Sequence, residues 1–261
     1  MNWRVGGTIV LAPTGMAATA SDEMETAIIA DVSADGRTLT LESPVAWLHA
    51  GERFSAGGRS VDMFAEVALL TQNVVVRGDD DLWNEVDLFG GVIMLHTAAG
   101  LPVVGRIANV ELVRMGQGYN YGHSPLVFDQ VGDASASYIR AVSLHEAYNR
   151  GFVLHGVTRL TVSGCVAVGV RGHTYFIAED GVETDNVVAD CLGMGTVASD
   201  SSLNTELVPA VFWISNPANT VVGCAAVGGV SEGFAFVPEA GAVGAAAAGG
   251  RLPQAHAAHV L

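Results

Sequence analysis

Val162-Ser-Gly-Cys165-Val-Ala-Val-Gly169, Val188-Ala-Asp-Cys191-Leu-Gly-Met-Gly195 and Val221-Val-Gly-Cys224-Ala-Ala-Val-Gly228 are three copies of one short pattern, and a weaker copy, Arg140-Ala-Val-Ser143-Leu-His-Glu146, precedes them. After a short gap each copy is followed by a second apolar run: Gly151-Phe-Val-Leu-His155, Gly172-His-Thr-Tyr-Phe-Ile177, Val211-Phe-Trp-Ile-Ser-Asn216 and Gly233-Phe-Ala-Phe-Val237, the third delayed by an insertion. Repetition of short β-rich units is the mark of a solenoid, in which each coil buries its apolar face only on its neighbours. The chain is therefore read as all-β, with residues 107 to 238 forming coils of a right-handed parallel β-helix.

All three cysteines occupy the same phase of the repeat, with Ser143 expected as the fourth member of one column. Their spacing is unlike the paired CxxC arrangement of zinc sites. A small inward-facing residue stacked coil upon coil is the simpler reading; a disulfide or metal ladder is the alternative.

Outward from this stretch, composition sets the bounds. A chain of 261 residues, 50% apolar, with 32 glycines, has material for a large β-rich core. No apolar window is long enough to span a membrane, and no signal peptide is visible behind Met1. The net charge of −15 excludes nucleic acid as the expected partner. All twelve basic residues are arginine, so Schiff-base lysine chemistry and a Walker A loop are excluded.

Before the repeat, Thr8-Ile-Val-Leu11, Thr26-Ala-Ile-Ile-Ala30 and Thr38-Leu-Thr-Leu41 read as strands, the last two joined by an Asp35-Gly36 hairpin turn. Val61–Leu70 and Asn73–Arg77 follow. This β structure is expected to continue into the solenoid and to cover its end, since no Pro- or Ser-rich linker intervenes. Asp79-Asp-Asp81 lacks the Gly and distal Glu of an EF-hand loop and reads as a solvated acidic turn. No cofactor is certain from any motif, and a calcium requirement stays open.

The run Trp3-Arg-Val-Gly-Gly-Thr-Ile-Val-Leu-Ala-Pro-Thr14, with Asp35-Gly36, His49, Glu66-Val-Ala-Leu-Leu-Thr71 and Asn73-Val-Val-Val-Arg-Gly78, resembles the eight-glycine domain of fibrocystin-like proteins and of the cell-migration-inducing and cell-surface hyaluronidases. Met115-Gly-Gln117, His145, Asn149-Arg150, His155-Gly156, Glu179-Asp180-Gly181, Phe212-Trp213 and Asn216-Pro217 extend the resemblance to about residue 238. It implies an eight-glycine domain at 1–78, a right-handed parallel β-helix at 79–239, and a secreted or cell-surface protein acting on a polysaccharide such as an anionic, hyaluronan-like glycan. Two departures stand out. Val127-Phe128-Asp129 replaces the family's His-Phe-His, and residues 240–261 form a low-complexity Ala/Gly tail where the family has further coils. The chain reads as part of a longer protein.

Aligning the second strands places Asp129, His155, Glu179-Asp180 and Asn216 at equivalent ends of successive apolar runs. Coils stack at about 4.8 Å, so groups two coils apart flank a bond and a water, as inverting glycoside hydrolysis requires. Asp129, His155, Glu179 and Asp180 are thus the candidate catalytic set, against the alternative that they are turn-satisfying residues. Arg150 and Arg171, read at one phase, are candidate anchors for a sugar carboxylate, while Tyr119 and Tyr121 in a Gly-rich loop and Asn216 are candidate substrate contacts. His145 and His173 read as structural. Three readings follow: a hyaluronidase-like glycan hydrolase, a non-catalytic glycan-binding or adhesion module, and a structural solenoid spacer.

Overall fold

A computed structural model describes residues 3–15, 23–81, 86–97, 101–199 and 207–238. The chain divides into two compact units, residues 1–71 and 72–260. The Ala/Gly tail expected at 240–261 lies outside the described residues.

In the first unit, β1 (Thr8–Leu11), β2 (Glu25–Val32), β3 (Leu39–Leu41) and β6 (Val67–Leu69) form an antiparallel sheet in the order β3-β2-β1-β6. A separate hairpin joins β4 (Gly51–Ala56) to β5 (Arg59–Phe64). The turn between β2 and β3 forms where Asp35-Gly36 stands. The Asp35 carboxylate accepts from the Ser33 hydroxyl at 2.7 Å and the Arg37 N–H at 3.1 Å, and Gly36 takes φ of 68°. Ile9, Val10, Ile29, Ala68 and Leu70 make a small core.

The second unit is a three-sided parallel solenoid. It opens with β7 (Val74–Arg77) and β8 (Ile93–His96). Complete coils follow: β9 (Arg106–Ala108), β10 (Val110–Val113) and β11 (Leu126–Asp133); β12 (Tyr138–Arg140), β13 (Ser143–His145) and β14 (Phe152–Thr158); β15 (Thr161–Ser163), β16 (Val166–Val168) and β17 (Tyr175–Ile177); β18 (Val187–Ala189), β19 (Leu192–Met194) and β20 (Phe212–Ile214); β21 (Thr220–Val222), β22 (Ala225–Val227) and β23 (Phe234–Phe236). The first face stacks β7-β10-β13-β16-β19-β22, the second β8-β11-β14-β17-β20-β23 and the third β9-β12-β15-β18-β21. Every pair within these faces is parallel. The run Val74–Arg77, read with the N-terminal domain from sequence, is the first rung of the first face, paired with β10.

Alternation along each rung decides what is buried. On the second face Phe152, Tyr175, Phe212 and Phe234 point inward in register and stack with centroids 5.0, 4.6 and 4.7 Å apart. The Tyr175 hydroxyl, fully enclosed, has the Cys165 and Leu192 carbonyl oxygens at 3.0 and 3.1 Å as acceptors for its one proton, which makes a buried phenol tolerable.

The cysteine column exists, but its fourth member is Val142, not Ser143. Ser143 pairs with Val166, the residue after Cys165, and the Val166 N–H bonds the Val142 carbonyl. The shift arises at the corner before the first face, where one residue per coil turns through left-handed φ: Asn109, Ala141, Gly164, Asp190 and Gly223, at 50–64°. Glycine marks this corner in two coils only, so the sequence pattern hides its phase in the others. The three thiols are free and buried. Cys191, hydrogen-bonded to Cys165 and shielded from water, has its thiol pushed up in pKa.

Candidate functional site

The outward residues of the second face build the site. One outward column is apolar: Val127, Val153 and Phe176 are buried, with Met94 and Trp213 at either end partly exposed. Hydrophobic side chains on the outer wall of a solenoid need a cover, and here neighbouring loops supply it. Arg150 lays its guanidinium 3.9 Å from the Phe176 ring centroid and 5.6 Å from that of Tyr121. His173 packs on Phe176 and Trp213 at 5.3 and 4.4 Å. Asn149 ties down the Gly-rich loop by donating to the Gln117 and Asn120 carbonyls at 2.7 and 3.0 Å.

The adjacent outward column is polar where the cover stops. Asp129 is level with His96 on one side and His155 on the other. Its carboxylate bridges both rings: Oδ2 is 2.7 Å from His96 Nδ1 and Oδ1 is 2.7 Å from His155 Nδ1. On the far side of His155, Nε2 lies 3.1 Å from the Gln130 amide nitrogen and 3.3 Å from Asp180 Oδ2. A bare Nε2 accepts from Gln130, and a protonated one donates to Asp180, so either state has a partner. Between the apolar and polar columns runs a cleft of about 210 Å³ lined by Met94, Tyr121, Val127, Asp129, Val153 and His155 among others.

Glu179 closes one wall. Its Oε1 accepts from Arg150 Nη1 at 2.6 Å and its Oε2 from the Tyr121 hydroxyl, so a single carboxylate ties the loop to the solenoid. Behind the site the Gly156 N–H is held at 2.8 Å by Glu183, which is fully buried.

The structure gathers Asp129, His155, Glu179, Asp180, Arg150 and Tyr121 around this cleft, but not by the equivalence read from sequence. Register counted from Leu154 and Ile177 puts Ala178 level with His155, and Ser215 level with Ala178. Glu179 and Asp180 reach the cleft from the turn after β17, and Asn216 is spent on the corner. Its amide donates to the Gly181 carbonyl at 2.6 Å and its oxygen accepts from the Ala218 N–H at 2.9 Å, with no exposed surface. Arg150 and Arg171 do not share a phase. Pairing of Phe152 with Tyr175 sets Arg150 level with His173, while the Arg171 N–H bonds Ala147 and its exposed side chain is outside the cleft lining. Tyr119 is also exposed and outside it. His96 and Gln130 escaped the sequence reading. Ile93-Met-Leu-His96 has the same apolar run with a polar end as Leu126–Asp129, but no cysteine-phase copy of the repeat precedes it to mark its place in a coil.

Among the described residues no three His, Cys, Asp or Glu side chains are grouped to hold a metal ion, and no helix is long and apolar enough to cross a membrane.

Comparison with known proteins places these features in a lineage. Fibrocystin-L of Mus musculus is 34% identical over 270 residues, which cover 90% of this chain and 6% of that protein. A G8 domain-containing protein of Dictyostelium discoideum is 30% identical over 254 residues, 90% of this chain and 21% of its own length. The cell migration-inducing and hyaluronan-binding protein of Homo sapiens is 29% identical over 278 residues, 90% of this chain and 20% of its own. The chain thus spans between 6% and 21% of the length of these relatives. The model of the CEMIP beta-helix matches residues 88–260, the region that holds nearly all of the stacked faces and the whole cleft. With its parallel coils and this match, the chain belongs to the CEMIP beta-helix family.

Proposed function

We propose that the cleft on the second face binds a polysaccharide and hydrolyses it. The observation that carries this reading is His155 Nε2, which has a hydrogen-bond partner with its proton and another without it. Asp129 fixes the ring through Nδ1, the arrangement by which a carboxylate orients an imidazole for proton transfer. In the proposed role His155 takes a proton from the attacking water at Nε2, and Asp180, which accepts that N–H, passes the proton on to the leaving glycosidic oxygen. One imidazole separates the two carboxylates, a gap on the order of 8 Å, within the range of inverting glycosidases. Glu179 shapes the cleft wall through Arg150 and Tyr121. The name of a relative, a hyaluronan-binding protein, supports a glycan as ligand.

The right-handed sense of the coil, an eight-glycine domain at 1–78 and a secreted or cell-surface location accompany this proposal. A second reading, a glycan-binding module without turnover, draws on the apolar part of the cleft lining, Met94, Val127 and Val153 beside Tyr121, which suits packing against a sugar ring more than chemistry.

Release of reducing ends from a panel of acidic and neutral polysaccharides, with and without calcium, tests the proposal. His155→Ala and Asp129→Asn are expected to lower turnover by roughly a hundredfold or more while circular dichroism stays unchanged. Full turnover by either variant on a proven substrate sinks the catalytic assignment. Binding without release of ends by the native chain selects the module.

A further inference from the structure

The charges that face the cleft are nearly all of one sign. Asp129 and Glu179 line it and Asp180 stands beside it on His155, whereas Arg150 is the one arginine among its lining residues. Arg150 is already committed. Its side chain is 7% exposed, it is paired with Glu179 at 2.6 Å, and it lies against the rings of Phe176 and Tyr121. A guanidinium with so little exposed surface, bonded through Nη1 to one carboxylate and packed on two rings, offers little of its edge to a second anion. The floor is apolar, made by Met94, Val127 and Val153, and Tyr121 stands as an aromatic wall, surfaces on which the C–H face of a pyranose ring packs. Around that floor the charged oxygens accept hydrogen bonds, which hydroxyl groups supply and carboxylates do not.

We propose that this cleft selects neutral glycosyl units and discriminates against those bearing a carboxylate or sulfate. The inference rests on the reading of the cleft as a glycan site and goes beyond it by naming the substrate class, one that differs from the hyaluronan in a relative's name. Specificity of this kind comes from repulsion as much as attraction: an anion entering the cleft meets like charge in a partly dehydrated space, and the net charge of −15 adds long-range repulsion of polyanions.

A matched pair of ligands tests it: a hyaluronan oligosaccharide and the same oligosaccharide with its carboxyl groups reduced to alcohols, titrated calorimetrically into the full chain at neutral pH with and without calcium. The reduced ligand is expected to bind at least tenfold more tightly. Glu179→Gln, which weakens the hold on Arg150, is expected to narrow that ratio by strengthening binding of the native oligosaccharide, a gain that mere damage to the fold does not produce. Equal or tighter binding of the native oligosaccharide overturns the selectivity and leaves the glycan reading standing. Binding of neither overturns both.

Discussion

Asp133 carries the clearest electrostatic perturbation of a single carboxylate. The Arg159 guanidinium, and after it the Ser135 backbone and hydroxyl groups, draw its pKa down from 3.8 to about 2. A carboxyl whose folded pKa is depressed stabilises the fold above its ordinary pKa and loses that contribution as pH falls through the folded value. Asp133 is therefore expected to stay ionised near pH 3, and Arg159→Ala to move its titration back toward 3.8, as followed by carbon NMR of the carboxyl. Both side chains are about half exposed, so the gain in stability is small. Glycines give a sharper contrast. Gly164 turns the corner at φ of 59° with open space where a Cβ would stand, so Gly164→Ala meets backbone strain only and is expected to cost about 1 kcal/mol. At Gly151 a Cβ would stand 2.4 Å from the Thr174 carbonyl oxygen of the next coil, a contact that cannot swing away. Gly151→Ala is expected to cost about 3 kcal/mol, at the upper end of overpacking. Urea unfolding of the two variants checks the order, which reverses if the corner φ rather than rung spacing is the tighter constraint.

At the scale of elements, the aromatic column of the second face is the spine of the coils. Phe212 lies between Tyr175 and Phe234, at 4.6 and 4.7 Å with nearly parallel planes, and has no exposed surface. Truncation leaves a cavity between two rigid rings held by in-register backbones, which limits collapse. Phe212→Ala is expected to cost about 3–5 kcal/mol and Phe212→Leu markedly less. Denaturant midpoints give the measurement; a loss below about 1 kcal/mol for the alanine would mean that neighbouring coils close the gap. The same column shows what was legible in the sequence. Phe152, Tyr175, Phe212 and Phe234 all stand in the second apolar runs read from the sequence, but the pairing of Phe152 with Tyr175 differs by one residue from the equivalence of polar ends. The polar ends did not transfer, because Ala178 takes the place level with His155 and pushes Glu179 and Asp180 into the turn.

Over the solenoid unit as a whole, each coil is held by the coils on either side, so stability should grade along the axis. The rungs β7 and β8 at one end and β21, β22 and β23 at the other have one parallel neighbour each, and Val74, Val75, Val222 and Phe236 there are strongly exposed. Amide exchange is expected to be slowest in β14, β15, β16 and β17, around Phe152 and Cys165, and fastest in the end rungs. Uniform protection along the axis would show instead that the unit opens only globally.

The repeated cysteine pattern and its apolar partner runs determined by themselves that the chain forms stacked parallel rungs, because alternation and coil length are written in residue type. Charge and the lack of lysine likewise fixed which chemistries the chain cannot perform. Tertiary structure alone decided which polar groups meet. Corners turn on left-handed residues that are glycine in some coils and Asn, Ala or Asp in others, so phase drifts unseen and Val142 takes the position read for Ser143. The meeting of His96 and His155 on Asp129, and of Arg150 with Glu179 and Tyr121, joins residues of different coils and loops whose lengths vary. Contact there is set by the parallel register across rungs, a quantity that no local run of sequence contains.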